Sequence, residues 1–118
     1  MNVVVIILIG ITFASLGQVS WKMGMNSIGS ISSMNLSVLL SMFSNLYVLA
    51  GLAMYGLSTV FWLIALSKKD LSYVYPFIAL TFIVVLTLSK LLFNEEIGTY
   101  RLIGSGIILL GLMLIVRS

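Results

Sequence analysis

The sequence predicts an all-α integral membrane protein, built as a bundle of four transmembrane helices. Hydrophobic residues make up 61% of the 118 residues and charged residues only 8%, whereas soluble domains carry roughly 25% charged residues. Four apolar runs fill most of the chain, and each approaches the ~20 residues that a helix needs to cross the bilayer core. The runs are continuous, which favours helices over the short alternating strands of a membrane barrel.

The four runs and their connections form a single domain over residues 1–118. The connections after the second and third runs are very short, so we expect successive helices to be antiparallel neighbours. The chain begins MNVVVIILIG, which lacks the basic start of a secretion signal, so we expect the first helix to remain as a span. The spans are predicted over about 2–22, 46–66, 71–93 and 98–116.

The segment 24–45, between the first and second spans, is the most polar part of the chain and holds many serines and asparagines. Within it, LSVLLSMF at 36–43 is apolar but short for a span. Two interpretations stay open at this point. The stretch is either an interfacial helix or an early start of the second span.

Composition excludes several kinds of site. Cysteine and histidine are absent, which removes thiolate and imidazole metal ligands, the thiol nucleophile and the usual general base. We therefore expect no metal, no cofactor and no catalysis. The three acidic residues, Asp70, Glu95 and Glu96, lie at connections, so no carboxylate sits in mid-span for proton-coupled exchange. The formal net charge of +3 is too small and scattered for nucleic-acid binding and suits membrane edges.

The first span carries polar side chains at Thr12, Ser15 and Gln18. Residues three apart lie near one helix face, and polar groups in hydrocarbon tend to face a protein interior or a wet cavity. The stripe is interpreted as a cavity-lining face or as hydrogen-bonding contact between helices. Both interpretations remain open.

Two lysines lie near span ends. Lys22 ends the first span and Lys90 lies close to the end of the third, so an antiparallel bundle places both towards the same membrane face. One interpretation is snorkelling, in which the ammonium reaches the headgroups along an apolar surface. The other is phosphate binding, for which a compact ammonium is well suited.

Aromatic residues of two spans are candidates for a cavity wall. Tyr75 opens the third span and Thr81 follows one to two turns later, while Tyr55 and Trp62 belong to the second span. Together they are interpreted as lining a cavity that stacks on a sugar or a flat cation. Interfacial anchoring for Tyr75 and core packing for Trp62 are the alternatives.

The fourth span contains Gly104 and Gly111, seven residues apart and therefore near one helix face. Small residues let helices approach closely within lipid. The spacing predicts a packing or dimerisation helix. A dimer is expected on general grounds too, because one bundle of four helices is thin for enclosing a cavity.

Almost the whole chain resembles the four-helix members of the drug/metabolite transporter superfamily. FASLGQVSWKMG is similar to the first-helix pattern of the undecaprenyl-phosphate-aminoarabinose flippase subunits, in which a Gly-Gln pair precedes a lysine, here Gly17, Gln18 and Lys22. FWLIALSKKDLSYVYPFIALTF and SKLLFNEEI resemble the second-to-third helix junction and third-helix exit of those subunits. The spacing of the fourth-helix glycines resembles the dimerisation helix of small multidrug resistance exporters. The essential first-helix glutamate of those exporters has no counterpart here.

The resemblance implies a flippase that moves a polyisoprenyl-phosphate-linked sugar of the aminoarabinose type, as used in lipopolysaccharide modification. It implies a multi-pass protein of a bacterial or archaeal cytoplasmic membrane, paired with a copy of itself or with a related four-helix subunit. Two alternatives remain: a small multidrug or metabolite exporter, and an accessory membrane subunit of a glycosyltransferase.

Overall fold

The fold is known from a computed structural model that describes residues 2–118. Four helical segments are long and apolar enough to cross a membrane, and the protein is a multi-pass membrane protein. The prediction of an all-α chain with four long apolar helices is confirmed. The candidate spans are Val3–Ile28, Leu46–Leu66, Leu71–Phe93 and Thr99–Val116.

The third span is composite, and a short helix precedes the second. We number the helices in chain order and treat the turn Tyr75–Phe77, which has 3-10 geometry, as the bridge between α4 and α5. The helices are α1 Val3–Ile28, α2 Leu36–Ser44, α3 Leu46–Leu66, α4 Leu71–Val74, α5 Ile78–Phe93 and α6 Thr99–Val116.

The first helix extends to Ile28, beyond the predicted end of its span at residue 22. The side chain of Asn2 caps its start by accepting a hydrogen bond from the Val4 amide at 2.8 Å, which satisfies a donor that the helix itself cannot. Gly29 ends it at φ 93, a left-handed backbone conformation that glycine adopts without steric cost. With 26 residues, α1 is about 39 Å long at 1.5 Å per residue, which exceeds the ~30 Å of a bilayer core.

Helices α1 and α3 pack antiparallel along a seam of small residues. A Cβ placed on Gly51 would lie 2.6 Å from the carbonyl oxygen of Gly17, and one placed on Gly24 would lie 2.7 Å from the Asn45 side-chain oxygen. The two backbones therefore touch, as small residues allow in lipid. The seam repeats every seven residues on both helices, with Gly10, Gly17 and Gly24 on α1 and Gly51, Ser58 and Ala65 on α3.

Polar ties hold the upper end of this helix pair, where α1 ends and α3 begins. Ser20 donates from its hydroxyl to the Tyr47 carbonyl at 2.6 Å, and Trp21 donates from Nε1 to the Val48 carbonyl at 3.2 Å. The Trp21 ring also stacks on Tyr55, with ring centroids 5.1 Å apart. These contacts fix the register of α1 against α3.

Asn45 joins three elements. Its Oδ1 accepts from the amides of Tyr47 and Val48 and so caps α3, while its Nδ2 donates to the Ser27 hydroxyl of α1 at 3.0 Å. Its extended backbone, at ψ 128, also ends α2. Helix α2 is thus a separate helix, and the 36–43 stretch is not an early start of the second span.

The lower end of the bundle is closed by an apolar cluster. Helix α4 supplies Val74, the turn before α5 supplies Phe77, and α6 supplies Leu112. The other buried residue of α6 is Ser105. The remaining members of the cluster come from α1 and α3: Ile6, Ile7, Ile11 and Ala65.

Candidate functional site

A cleft of about 150 Å³ opens between α1, α3 and α5. Four residues that the sequence singles out lie around it. Gln18 is on α1, Tyr55 and Trp62 are on α3, and Thr81 is on α5. The other lining residues are Gly10, Ile11, Ala14, Ser58, Thr59 and Ile78.

The seam between α1 and α3 determines which side chains reach the cleft. Gln18 follows Gly17 directly, so the close approach at Gly17 places the glutamine one step round the helix, beside α3 rather than against it. On α3, Tyr55 and Trp62 are seven residues apart and share one face. Residues at helical spacing on both helices therefore converge on one space.

The cleft has a mostly apolar, uncharged lining with several polar side chains in it. None of its lining residues within the described range 2–118 carries a formal charge. The hydroxyls of Ser58 and Thr59 donate to the Tyr55 carbonyl at 2.6 Å and 3.1 Å, which leaves their oxygen lone pairs to accept from a ligand. The Gln18 amide supplies both donor and acceptor atoms. Two aromatic rings beside hydroxyl and amide groups form a lining that suits a neutral ligand with several hydroxyls.

Ser15, predicted to line the cavity, is not among the lining residues. It is 1% exposed, and its Oγ has no hydrogen-bond partner among residues 2–118. On the helical wheel it lies on the side of α1 turned away from Gly17 and hence from α3. A buried hydroxyl without a partner is costly, by about 1–3 kcal/mol.

Tyr75 also lies outside the cleft. It is 59% exposed in the turn that bridges α4 and α5. Thr12, the first member of the polar stripe, is exposed and donates to the Leu8 carbonyl of its own helix at 2.9 Å. The stripe therefore does not act as one surface.

The two candidate phosphate ligands, Lys22 and Lys90, lie in separate grooves outside the cleft. Lys22 borders a groove formed by the last turns of α1 and the residues after it. Lys90 borders a groove of about 560 Å³ that also contains Glu96, Tyr100 and Arg101. The antiparallel order of the helices places both grooves at the same membrane face. Arg101, which sequence analysis did not single out, brings a second cation to the Lys90 groove.

Gly104 and Gly111 lie on an open surface of α6. A Cβ on either would meet no described atom within 4 Å, while their neighbours Ser105 and Leu112 are buried in the subunit. The glycine pair thus makes no close side-chain contact with the rest of the described bundle. It forms a shallow strip on the outer surface.

Similar proteins are found among curated bacterial sequences. The chain is 30% identical over 69 residues to a probable 4-amino-4-deoxy-L-arabinose-phosphoundecaprenol flippase subunit ArnE of Aeromonas hydrophila, covering 58% of this chain and 60% of that protein. It is 31% identical over 68 residues to the probable ArnE of Proteus mirabilis, with the same shares covered. The probable flippase subunit ArnF of Erwinia tasmaniensis is 39% identical over 67 residues, covering 55% of this chain and 53% of that protein.

These matches span less than two thirds of the length of the relatives. No protein-family profile matches the sequence, and no solved structure matches it. The relatives are named as flippase subunits and not as enzymes. The chain is accordingly a distant homologue of the ArnE and ArnF flippase subunits.

Proposed function

We propose that the protein is a subunit of a flippase that moves a polyisoprenyl-phosphate-linked sugar across the cytoplasmic membrane. The observation that carries the proposal is the uncharged, hydroxyl-rich and aromatic cleft between α1, α3 and α5. Distant homology to flippase subunits supports the same class of function.

The cleft chemistry fits a sugar better than a hydrophobic cation. A sugar ring has an apolar face that packs on aromatic rings, here Tyr55 and Trp62, and a rim of hydroxyls that need hydrogen bonds. Hydrogen bonds to these hydroxyls would come from Gln18 and Thr81 and from the acceptor oxygens of Ser58 and Thr59, all of which line the cleft. Leaving these hydroxyls unpaired inside a membrane would cost several kcal/mol each, so such bonds lower the barrier to crossing.

A dimer is part of the proposal. One subunit offers about 150 Å³, whereas ligand pockets usually occupy about 300–1,000 Å³. Two clefts facing each other would reach the lower end of that range. The open glycine strip at Gly104 and Gly111 is a surface on which a second subunit can pack closely. That subunit is a copy of this chain or a related four-helix protein.

The phosphate is assigned to the cations at the face shared by Lys22 and Lys90. A lipid phosphate at the level of the headgroups on this face would lie beside the lysines, while the attached sugar enters the cleft. Arg101, in the Lys90 groove, adds a planar donor that binds phosphate with two parallel hydrogen bonds. The lipid-linked sugar would then cross the membrane down its own concentration gradient.

Ser15 and Tyr75 belong to the path only if the helices rearrange. The buried Ser15 hydroxyl lacks a partner in this conformation, and an alternating-access cycle offers a second conformation in which the hydroxyl would face the sugar. The proposal therefore keeps both residues as part of the path in the other state.

The test is transport of a fluorescent lipid-linked sugar in proteoliposomes, with the chain alone and together with a related subunit. The Lys22→Ala, Lys90→Ala double variant should lose at least about tenfold in initial rate, the equivalent of one charge-assisted hydrogen bond. The matched control removes two cations from the opposite face, with Lys68→Ala and Arg117→Ala, and should transport normally.

The outcomes separate the two parts of the proposal. Unchanged transport in the Lys22→Ala, Lys90→Ala variant would end the phosphate assignment and leave the flippase intact. No transport by the unmodified chain, either alone or with the related subunit, would overturn the flippase itself.

A further inference from the structure

Helix α2 has two distinct exposed faces. None of its nine residues is buried. At about 100° per residue, three apolar side chains fall within one narrow arc and three serines fall within another, about 100° further round. We define the apolar face of α2 as Leu36, Leu40 and Phe43, which are 71%, 62% and 54% exposed, and the serine face as Ser37, Ser41 and Ser44.

The third side of α2 lies towards the bundle. Val38 and Met42 are half-buried, and α2 contacts both α1 and α3. The helix thus rests against the bundle on one side and presents its apolar and serine faces to the surroundings. This three-way division is typical of a helix that lies along a boundary between lipid and water.

The depth of α2 follows from its attachment. Helix α3 has 21 residues and a length of about 31 Å at 1.5 Å per residue, close to the ~30 Å of the hydrocarbon core. Its first residue, Leu46, therefore lies near the edge of that core. Asn45 holds this point against Ser27 of α1, and α2 ends directly before it. The C-terminal end of helix α2 consequently lies at the level of the bilayer edge.

The apolar face of α2 is next in sequence to an exposed apolar surface of α3. Leu46 is 78% exposed and Leu49 44%, and both belong to a membrane span. Phe43 precedes this surface by one helical turn of sequence. The occupant of the apolar face is therefore the same as that of the α3 surface, the lipid acyl chains.

We propose that α2 lies in the plane of the membrane, with its apolar face in the acyl region and its serine face towards the headgroups. It forms an interfacial anchor at the membrane face that carries Lys22 and Lys90. Through Asn45, the anchor holds the junction of α1 and α3 at a constant depth.

The experiment is site-directed spin labelling, which suits this chain because it contains no cysteine. Six single-cysteine variants, one at each residue of the apolar and serine faces, are labelled and reconstituted into phosphatidylethanolamine–phosphatidylglycerol vesicles. Collision rates with oxygen, which concentrates in acyl chains, are compared with those for a water-soluble nickel chelate. Leu110→Cys, on the exposed side of the α6 span, is the reference for lipid.

The proposal predicts a several-fold higher oxygen-to-nickel ratio on the apolar face than on the serine face, with the apolar face approaching the Leu110 reference. Three results would overturn it. High nickel collision on both faces places α2 in water, high oxygen collision on both places it inside the bilayer, and shielding of the apolar face from both reagents places protein over it. All six sites are exposed, so the labels disturb no packing, and the measurement uses no substrate and is independent of transport.

Discussion

Replacing Gly51 with alanine tests the packing on which the cleft depends. The new Cβ would lie 2.6 Å from the Gly17 carbonyl oxygen and would also meet Cδ1 and Nε1 of Trp21. The Gly17 oxygen belongs to helix backbone and cannot rotate away. Helices α1 and α3 must therefore separate at this level, and the hydrogen bond from Trp21 to the Val48 carbonyl weakens with them.

The expected cost is about 2 kcal/mol. Overpacking of a close contact costs about 1–3 kcal/mol, and an interhelical hydrogen bond in a membrane contributes about 0.6 kcal/mol. Alanine is more favourable than glycine in a helix by about 0.8–1 kcal/mol in water. The control must therefore also replace a helical glycine with alanine. Gly56→Ala lies on the same helix, and its Cβ would meet no described atom within 4 Å.

The assay is reversible unfolding in mixed detergent micelles, followed by tryptophan fluorescence. The fluorescence of Trp21 reports directly on the contact between α1 and α3, since its ring stacks on Tyr55. We expect Gly51→Ala to unfold with an equilibrium constant roughly thirtyfold larger than that of Gly56→Ala, the equivalent of 2 kcal/mol. Equal stability of the two variants would refute the close packing of α1 on α3.

Three further outcomes are expected. Asn45→Ala should destabilise the chain by about 1–2 kcal/mol in the same unfolding assay, because α3 loses its cap; a value near zero would show that the cap is dispensable. Trp62→Ala should cut the initial flipping rate more than Trp62→Phe does, because under the proposed function the aromatic ring would pack on the sugar; equal loss in both variants would contradict stacking. Gly111→Leu should weaken dimerisation in a single-molecule photobleaching assay, whereas Gly106→Leu, on another face of α6, should leave dimerisation unchanged; equal effects would remove the glycine strip as the interface.

Much of the architecture was predictable, because the bilayer imposes strong rules on sequence. Length and hydropathy define the four spans, and polar residues within them point inward more often than outward. That rule singles out Gln18 and Thr81, which do lie around one cleft with Tyr55 and Trp62. Their role in binding stays a prediction.

The polar stripe of α1 shows the limit of the rule that residues three apart share a helix face. Each step of three residues turns the helix about 60° short of a full rotation. From Thr12 to Gln18 the deviation reaches about 120°, so the two residues face different surroundings. Gln18 lines the cleft, Ser15 is buried elsewhere and Thr12 is exposed.

The glycine repeat of α1 is visible in the sequence, but the sequence does not show which helix packs against it. Gly10, Gly17 and Gly24 repeat every seven residues, which indicates a close helix contact as strongly as the Gly104 and Gly111 pair does. Sequence spacing cannot tell which helix a small-residue strip meets, because that depends on tertiary arrangement. The structure pairs the α1 strip with α3 and leaves the α6 strip open.

Under the proposed function, the cleft between α1, α3 and α5 receives the sugar of a lipid-linked substrate. The most direct measurement is photocrosslinking with a polyisoprenyl-phosphate sugar that carries a diazirine on the ring, followed by mass-spectrometric mapping of the adducts. We expect adducts at cleft residues such as Tyr55 and Trp62, and we expect excess unlabelled lipid to suppress them. Adducts confined to lipid-facing positions such as Leu63 and Leu110, with no competition by the unlabelled lipid, would contradict it.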